Sequence, residues 1–191
     1  MKSVATTKTN LSVRPLTAAD IRLVVDYWCD MPNENLLRMG AERDYIPSRE
    51  EFTANLLHQL TTTDRNATSF VLMWLADGEP IGFNTLKNIR YGEDADIHLH
   101  IFDDRHRGKG YGAPLFCLAT VEYYRRFALQ SMMCEPRSAN PMPNGMLRKV
   151  GFPLIKTYVG RSSAICGVCE LNRYDIRRDV AERFLEDRDA R

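Results

Sequence analysis

The most constraining feature of this sequence is a junction where the hydropathy pattern changes from that of a strand to that of a helix. Residues 94–101 alternate strictly between polar and apolar side chains, as in a strand with one face on a core, and Phe102 follows them. From Gly110 onward, apolar residues recur at helical spacing, and Pro114 is tolerated in a first helical turn. Between the two lies the sequence RHRGKGYG, at residues 105–112. A strand, a glycine-rich basic loop and a helix therefore follow one another directly.

The loop at residues 105–112 has the composition of an anion-binding turn. Glycines let a backbone approach a ligand closely, and the start of a helix adds free N–H groups and a partial positive charge. Three basic side chains add charge at this point, although the whole chain has 26 basic and 25 acidic residues. The pattern predicts a pyrophosphate site, and a solvated basic turn is the alternative. The sequence does not match the P-loop pattern G-x-x-x-x-G-K-[ST]. It is not a dinucleotide-binding fingerprint either, because the neighbouring strands form hairpins instead of a βαβ unit.

The hydropathy pattern over the rest of the chain predicts one α+β domain spanning residues 1–191. Strands and helices follow in the order β-αα-βββ-α-β-α-ββ, with the last strand at 164–174 and the last helix at 177–187. A chain of 191 residues with 44% hydrophobic residues can bury one core, and it contains no repeat or linker.

Local signals mark several of the boundaries between these elements. Two capping boxes open the first two helices, a turn dipeptide joins two strands at 68–76 and 80–89, and helix breakers interrupt residues 30–47. The residues are Thr17 with Asp20, Ser48 with Glu51, Asp77 with Gly78, and Pro32, Gly40 and Pro47. We therefore predict a loop at 30–47.

Composition excludes several classes of partner. A balanced charge gives no global field for nucleic acid or an anionic membrane. No stretch approaches the roughly 20 apolar residues of a membrane span, and Met1–Asn10 lacks the apolar run of a signal peptide. Five scattered cysteines argue against a disulfide framework, and Cys166 and Cys169, although spaced like half a zinc site or a redox dithiol, lack a second pair. We expect a cytoplasmic protein in which these cysteines pack.

Two segments carry a resemblance to a known family. Arg105-x-x-Gly108-x-Gly110 resembles the R/Q-x-x-G-x-G/A signature of the GNAT superfamily of N-acetyltransferases, including its place between the fourth strand and the third helix. Residues 140–152 resemble the family's second cofactor segment, a short helix led by Asn and ending in K-x-G-F. The resemblance covers about residues 11–174, with a C-terminal helix at 175–191. It implies a GNAT-like mixed, mostly antiparallel sheet flanked by helices, with splayed fourth and fifth strands.

The resemblance also implies an activity and a co-substrate. GNAT enzymes transfer an acetyl group from acetyl-CoA to a primary amine, which attacks the thioester directly, and no metal is expected. The resemblance places coenzyme A against both segments and the end of the strand before the loop. The implied contacts are His100, Phe102, Arg105, Arg107, Gly108, Lys109, Gly110, Tyr111, Gly112, Asn140 and Asn144.

The strand before the loop is predicted to carry the chemistry. Alternation places Asp94, Asp96, His98 and His100 on one face, and a merely solvated face is the alternative. An ammonium with a pKa near roughly 10 must lose a proton before it attacks, and a histidine near its ordinary pKa can take that proton. The resemblance implies that this strand runs under the thioester and that some members use paired histidines. We assign His98 as the base, Asp96 to polarise the pathway or bind the ammonium, and His100 as its paired histidine.

The general acid and the acceptor are less defined. The family often has a tyrosine where this chain has Leu147, and Tyr158, Cys134 or a water are substitutes without spacing support. A thiolate with a pKa near roughly 8.5 leaves with little help. We expect the acceptor to contact Tyr27-Trp28, residues 30–47 and the two aspartates, which favour a cationic amine. Small amines, peptide N-termini, lysine and antibiotics stay open as acceptors, as does a homodimer.

Two other classes fit part of the pattern. His98-x-His100 with Asp96 and Asp104 imitates a cupin-like metal site, but a cupin is all-β and needs a histidine on a later strand. A GNAT-like protein that binds acyl-CoA without turnover is the other alternative, because fold does not fix function.

Overall fold

A computed structural model describes residues 9–190 of the chain, so most of Met1–Asn10 lies outside the described residues. Within residues 9–190, seven strands form one sheet, accompanied by six α-helices. The strands are β1 (Leu11–Pro15), β2 (Ser69–Ala76), β3 (Glu79–Lys87), β4 (Asp94–Ile101), β5 (Ser131–Cys134), β6 (Leu154–Gly160) and β7 (Cys169–Asp175). The helices are α1 (Ile21–Cys29), α2 (Asn33–Met39), α3 (Arg49–Thr61), α4 (Gly112–Phe127), α5 (Pro141–Val150) and α6 (Arg178–Asp189).

The sheet is mixed, and its order is β1-β2-β3-β4-β5-β7-β6. Neighbouring strands are antiparallel except β4 and β5, which run parallel. The β4–β5 pairing joins Asp94 to Ser131, Ala95 to Met132 and Asp96 to Met133, whereas β4 continues to Ile101. The second half of β4 therefore has no strand beside it on this edge, as expected for splayed fourth and fifth strands.

Two apolar clusters cover the two faces of the sheet. Ala95 and Ile97 of β4 are buried in the cluster that includes α4. The opposite face packs against α1 and α3, with Val71, Met73 and Phe83 in that cluster. Because successive strand residues point to opposite faces, the polar residues of β4 lie on the side of α1 and α3.

Most local signals led to the correct elements. The capping boxes at Thr17 and Ser48 are both formed, and Asp77 and Gly78 connect β2 to β3 with positive φ angles. The predicted loop at 30–47 was wrong, because residues 33–39 form α2 and residues 43–45 form a 3₁₀ turn. Its helix breakers lie at helix ends: Pro32 is the N-cap of α2, and Gly40 ends it with φ 87°.

The last strand also differs from its prediction. It begins at Cys169 instead of residue 164, because the preceding residues cross over to the segment after α2. Ala41 and Cys166 form an isolated bridge there, and the amide of Gly167 donates to the carbonyl of Gly40 at 2.9 Å. The connection between β6 and β7 therefore packs against the segment that follows α2.

Gly82 of β3 sets the spacing between β3 and the free half of β4. A Cβ at Gly82 would lie 2.3 Å from the carbonyl oxygen of His100 and 3.0 Å from Cα of Ile101. Both atoms belong to backbone, so a larger residue would have to displace β4 itself. The position of His100 thus depends on a residue without a side chain.

We predict that Gly82→Ala lowers the free energy of unfolding by about 1–3 kcal/mol, the usual cost of forcing extra volume into packed structure. Gly145→Ala is the matched control, because a Cβ at Gly145 meets nothing within 4 Å and α5 would gain a better helix former. Urea denaturation of both variants measures the difference. Equal stabilities would show that β4 adapts to the added methyl group.

Candidate active site

The separation of β4 from β5 opens a cavity of about 880 Å³. One end is lined by the loop before α4, the middle by residues 98–101 of β4, and the other end by side chains of α1, α2 and α3. Its volume lies in the range of ordinary ligand-binding sites. The cavity connects the predicted phosphate loop with the predicted catalytic strand.

The loop presents backbone donors at the first end. Gly108 and Gly110 have φ angles of 72° and 80°, which suit glycine, and both line the cavity. The amides of residues 108–112 make no hydrogen bond to backbone within residues 9–190, and the 16-residue helix α4 follows them. Free amides at the start of a helix bind anions.

The basic residues of the loop differ in their positions. Arg107 lines the cavity, donates to the carbonyl of Ile101 at 3.2 Å and pairs with Asp104. Arg105 has an 82% exposed side chain paired with Asp103, and neither it nor Lys109 lines the cavity. The structure therefore brings one of the three predicted cations to this end of the cavity.

The residues of the second predicted cofactor segment also differ in whether they line the cavity. Asn140, the N-cap of α5, lines the cavity. Asn144 is buried, its Nδ2 donates to the carbonyls of Arg137 at 2.9 Å and Asn140 at 2.6 Å, and its Oδ1 accepts from Asn172 and Tyr174. These contacts use the hydrogen-bonding capacity of the amide, so Asn144 positions the segment instead of facing a ligand. Leu147 is likewise buried in the core.

The other predicted cofactor contacts differ in their surroundings. His100 lines the cavity, and Tyr111 and Gly112 line it at the start of α4. Phe102 is absent from the lining and packs against Tyr27 and Phe83, with ring centroids 5.8 Å and 5.5 Å apart. Its side chain therefore supports the aromatic cluster behind His100.

His98 lies in the middle of the cavity, opposite Thr85 of β3. Its Nε2 is inaccessible to solvent and has no hydrogen-bond partner among the described residues. Removal from bulk water lowers the pKa of His98 to about 4, and the nearby charge of Lys87 acts in the same direction. The imidazole is therefore neutral at pH 7, but its pKa lies well below the ordinary value that the sequence suggested.

His100 is held in an aromatic cluster. Its ring centroid lies 4.8 Å from those of Trp28 and Phe83, and Nδ1 lies 3.3 Å from the hydroxyl of Tyr27. Burial lowers the pKa of His100 to about 3 and raises that of Tyr27, so both groups are neutral at pH 7. The same hydroxyl donates to the sulfur of Met39 at 3.6 Å, and its contact with Nδ1 is compatible with either tautomer of His100.

The two aspartates on this face do not reach the cavity. Asp94 pairs with Arg90, and Asp96 accepts from Nδ2 of Asn88 at 2.7 Å. Both line a separate depression, at the point where β4 and β5 are still paired. Burial raises the pKa of Asp96. The four residues share one face as predicted, and the structure places Asp96 in a depression that adjoins the cavity of His98, at the point where β4 and β5 are still paired.

Sequence reasoning missed several charged residues of the cavity, and two of them flank β4. Lys87, the last residue of β3, and Glu135, just after β5, both line the cavity. Glu135 pairs with Arg173 and accepts from the hydroxyl of Tyr158 at 2.6 Å. Lys87 continues the alternation of Thr85, but only the register of β3 with β4 shows that it lies opposite Asp96 and diagonal to His98.

The suggested substitutes for the missing tyrosine are also located. Cys134 lines the cavity, and burial raises the pKa of its thiol. Tyr158 does not line the cavity, and its hydroxyl proton is used on Glu135. Cys166 and Cys169 are free thiols, and no group of three metal-binding side chains occurs within the described part of the chain. The six helices also differ from the all-β fold of a cupin.

Comparison with known proteins gives one family and many structures. A family model described as an acetyltransferase (GNAT) domain matches residues 10–153, and no curated protein matches the sequence. Spermidine N-acetyltransferase from Vibrio cholerae, solved with CoA and spermine, has a TM-score of 0.72 and 19% identity over 90% of this chain and 98% of its own. RimL, a ribosomal L7/L12 alpha-N-protein acetyltransferase solved with coenzyme A, has a TM-score of 0.70 and 16% identity over 88% and 94%.

A third structure, an uncharacterized protein (bh2621) from Bacillus halodurans, has a TM-score of 0.67 and 16% identity over 94% of this chain and 90% of its own. At such identities the likeness shows the fold. The predicted fold class, a mixed and mostly antiparallel sheet with helices on both faces, is confirmed.

The two cavity histidines predict a pH dependence of stability. Their folded pKa values are depressed, so the folded protein stays unprotonated there while the unfolded chain takes up protons below about pH 6.5. The contribution of the two histidines to the free energy of unfolding is therefore fully present above pH 6.5 and is lost as the pH falls toward 4. The loss is up to about 1.4 kcal/mol per pH unit for each histidine. The free energy of unfolding, measured by urea denaturation between pH 7 and 5, should depend less steeply on pH in the double variant His98→Asn, His100→Asn than in the wild type. Equal slopes would mean that the imidazoles are not shielded from water.

Proposed function

This chain belongs to the GNAT acetyltransferase family, and on that premise we propose that it transfers an acetyl group from acetyl-CoA to a primary amine. The observation that carries the proposal is a concentration of unsatisfied polar groups around one cavity. Among the described residues, four side chains have a buried polar atom without a partner, and Gln59, His98 and His106 of these line the cavity. Buried polar groups are normally paired, so these are positioned for a ligand.

Coenzyme A fits the first end and the middle of the cavity by its chemistry. Its pyrophosphate matches the free amides of residues 108–112, with Arg107 adding charge. Its pantetheine arm carries amides, which need partners such as the unpaired backbone edge of β4 beyond Asp96. RimL and the Vibrio cholerae enzyme were both solved with this cofactor. Asn140 and the surface of α5 would flank the arm.

The middle of the cavity supplies the groups for the transfer. The amine nitrogen bonds to the thioester carbon, the carbon–sulfur bond breaks, the amine proton passes to His98, and coenzyme A leaves as its thiolate. In this proposal Nε2 of His100 carries the imidazole proton and donates to the carbonyl oxygen as negative charge develops there. Neither Asp94 nor Asp96 contacts the reacting atoms in this proposal.

Cellular location, domain extent and assembly are separate expectations. No helix within residues 9–190 combines the length and hydropathy needed to cross a membrane. A cytoplasmic location, one domain over the whole chain and a homodimer stay predictions. Sedimentation velocity tests the last of these, and a related spermidine acetyltransferase has been solved as a dodecamer.

We predict that Gly108→Asp and Gly110→Asp each abolish coenzyme A binding while the fold is kept. A carboxylate at either position repels the pyrophosphate, and a side chain is strained at the positive φ of these glycines. Gly78→Asp in the β2–β3 turn is the matched control, because its φ is 86° and a Cβ there meets nothing within 4 Å. Titration calorimetry measures binding. Unchanged affinity in both loop variants would refute the cofactor site.

We predict that His98→Ala lowers kcat by about 10²–10⁴-fold, the usual loss for a general base. Coenzyme A affinity should change little, because the cofactor is expected to contact the backbone of β4. His58→Ala is the control, since His58 is exposed on α3 and outside the cavity. Release of coenzyme A in the presence of mixed amines measures the rate. No release by the wild type would favour an acyl-CoA-binding protein, and a wild-type rate in His98→Ala would move the base elsewhere.

A further inference from the structure

We propose that the amine acceptor has an apolar body and carries a carboxylate, which Lys87 binds while the amine lies beside His98. The inference rests on the proposed acetyl transfer and narrows its acceptor to one chemical class. It concerns the acceptor end, defined as the part of the cavity lined by α1, α2, α3, β2 and β3.

Part of the wall of the acceptor end is apolar, beside polar residues such as Asn55, Gln59 and Ser69. Trp28, Val71 and Leu56 are buried residues of the cluster beneath α1 and α3, and each also lines the cavity, together with Phe52. Burial of such surface stabilises a bound group by about 25 cal/mol per Å². The acceptor end therefore favours a carbon skeleton over a string of charges.

Negative charge is missing from this end. Asp104 and Glu135 are the carboxylates that line the cavity within residues 9–190, and they are paired with Arg107 and Arg173. Neither belongs to the acceptor end. The aspartates expected to attract a cationic amine lie in the separate depression. A ligand with several ammonium groups would find no free carboxylate here.

Positive charge is present instead. Lys87 and Arg38 both line the cavity, and neither takes part in an ion pair among the described residues. Asp96 is the cross-strand neighbour of Lys87 but accepts from Asn88. A cation that lines a cavity without a partner can bind an anionic ligand group.

The position of Lys87 relative to His98 fits a single small molecule. Thr85 is opposite His98, and Lys87 lies two residues further along the same face, about 7 Å away at strand spacing. The charge of Lys87 lowers the pKa of both His98 and His100, and burial lowers the pKa of Lys87 itself. An amine at His98 and a carboxylate at Lys87 can therefore belong to one amino acid.

The expected acceptors differ from the ligand of the Vibrio cholerae enzyme, which was solved with spermine. A polyamine would place a second ammonium near Lys87, where like charges repel. Apolar amino acids meet both requirements, since they combine an amine, a carboxylate and a hydrocarbon side chain.

The test compares phenylalanine, leucine and methionine with their amides, which keep the shape and remove the carboxylate, and adds spermidine as the polyamine probe. For each acceptor, kcat/KM is measured by release of coenzyme A. In the wild type, at least one acid should exceed its amide and spermidine. Lys87→Gln should lower the acid-to-amide ratio by about 10- to 100-fold, the range for loss of a charge-assisted hydrogen bond. The acid and the amide differ in the basicity of their amines. Because this difference is the same for the wild type and the variant, it cancels when their acid-to-amide ratios are compared.

Two further variants isolate the charge. Lys87→Arg should keep most of the preference, and Lys156→Gln, on the exposed strand β6 and outside the cavity, should leave it unchanged. An unaltered ratio in Lys87→Gln, or turnover of spermidine above every acid, would overturn the inference while acetyl transfer stands. If no amine releases coenzyme A from a wild type that binds the cofactor, the proposed function fails, and the inference fails with it.

Discussion

The loss of pairing between β4 and β5 is the constraint on which the rest of the structure depends. Three residue pairs hold the two strands together, and β4 then continues for five residues, paired with β3 but with no strand on the side of β5. An unpaired edge in the middle of a sheet leaves backbone groups unsatisfied, which is costly unless a ligand or water pairs with them. The gap therefore provides both the space and the hydrogen-bonding groups for an extended ligand.

Enclosure by this gap determines the electrostatics of the site. His98 and His100 are kept neutral by removal from water, and the hydroxyl of Tyr27 lies 3.3 Å from Nδ1 of His100. The two carboxylates that line the cavity among the described residues are paired with arginines, so the free charge there is positive. This arrangement suits an anionic co-substrate, and it also limits which amines can approach.

Local sequence patterns were sufficient for the elements that depend on local physics. Capping boxes, the hairpin turn and the alternation of β4 rest on neighbouring residues, and each led to the observed element. The placement of Lys87 diagonal to His98 depends on strand register, and the separation of Asp96 from the cavity depends on where two distant strands part. Asn144 could not be assigned from its motif alone, because its partners Asn172 and Tyr174 lie about 30 residues away. Helix α2 was missed because its breakers were interpreted as loop signals instead of helix ends.

A structure of the protein with coenzyme A bound tests the central claim most directly, because the claim concerns where the cofactor lies. The account predicts the pyrophosphate on the amides of residues 108–112, the pantetheine arm along the free edge of β4, and the sulfur beside His98 and His100. Reacting groups need to approach within about 3.5 Å, so an acetyl carbon on that sulfur should leave room for an amine between it and His98. A cofactor bound outside the gap, or a sulfur directed away from both histidines, would contradict the account.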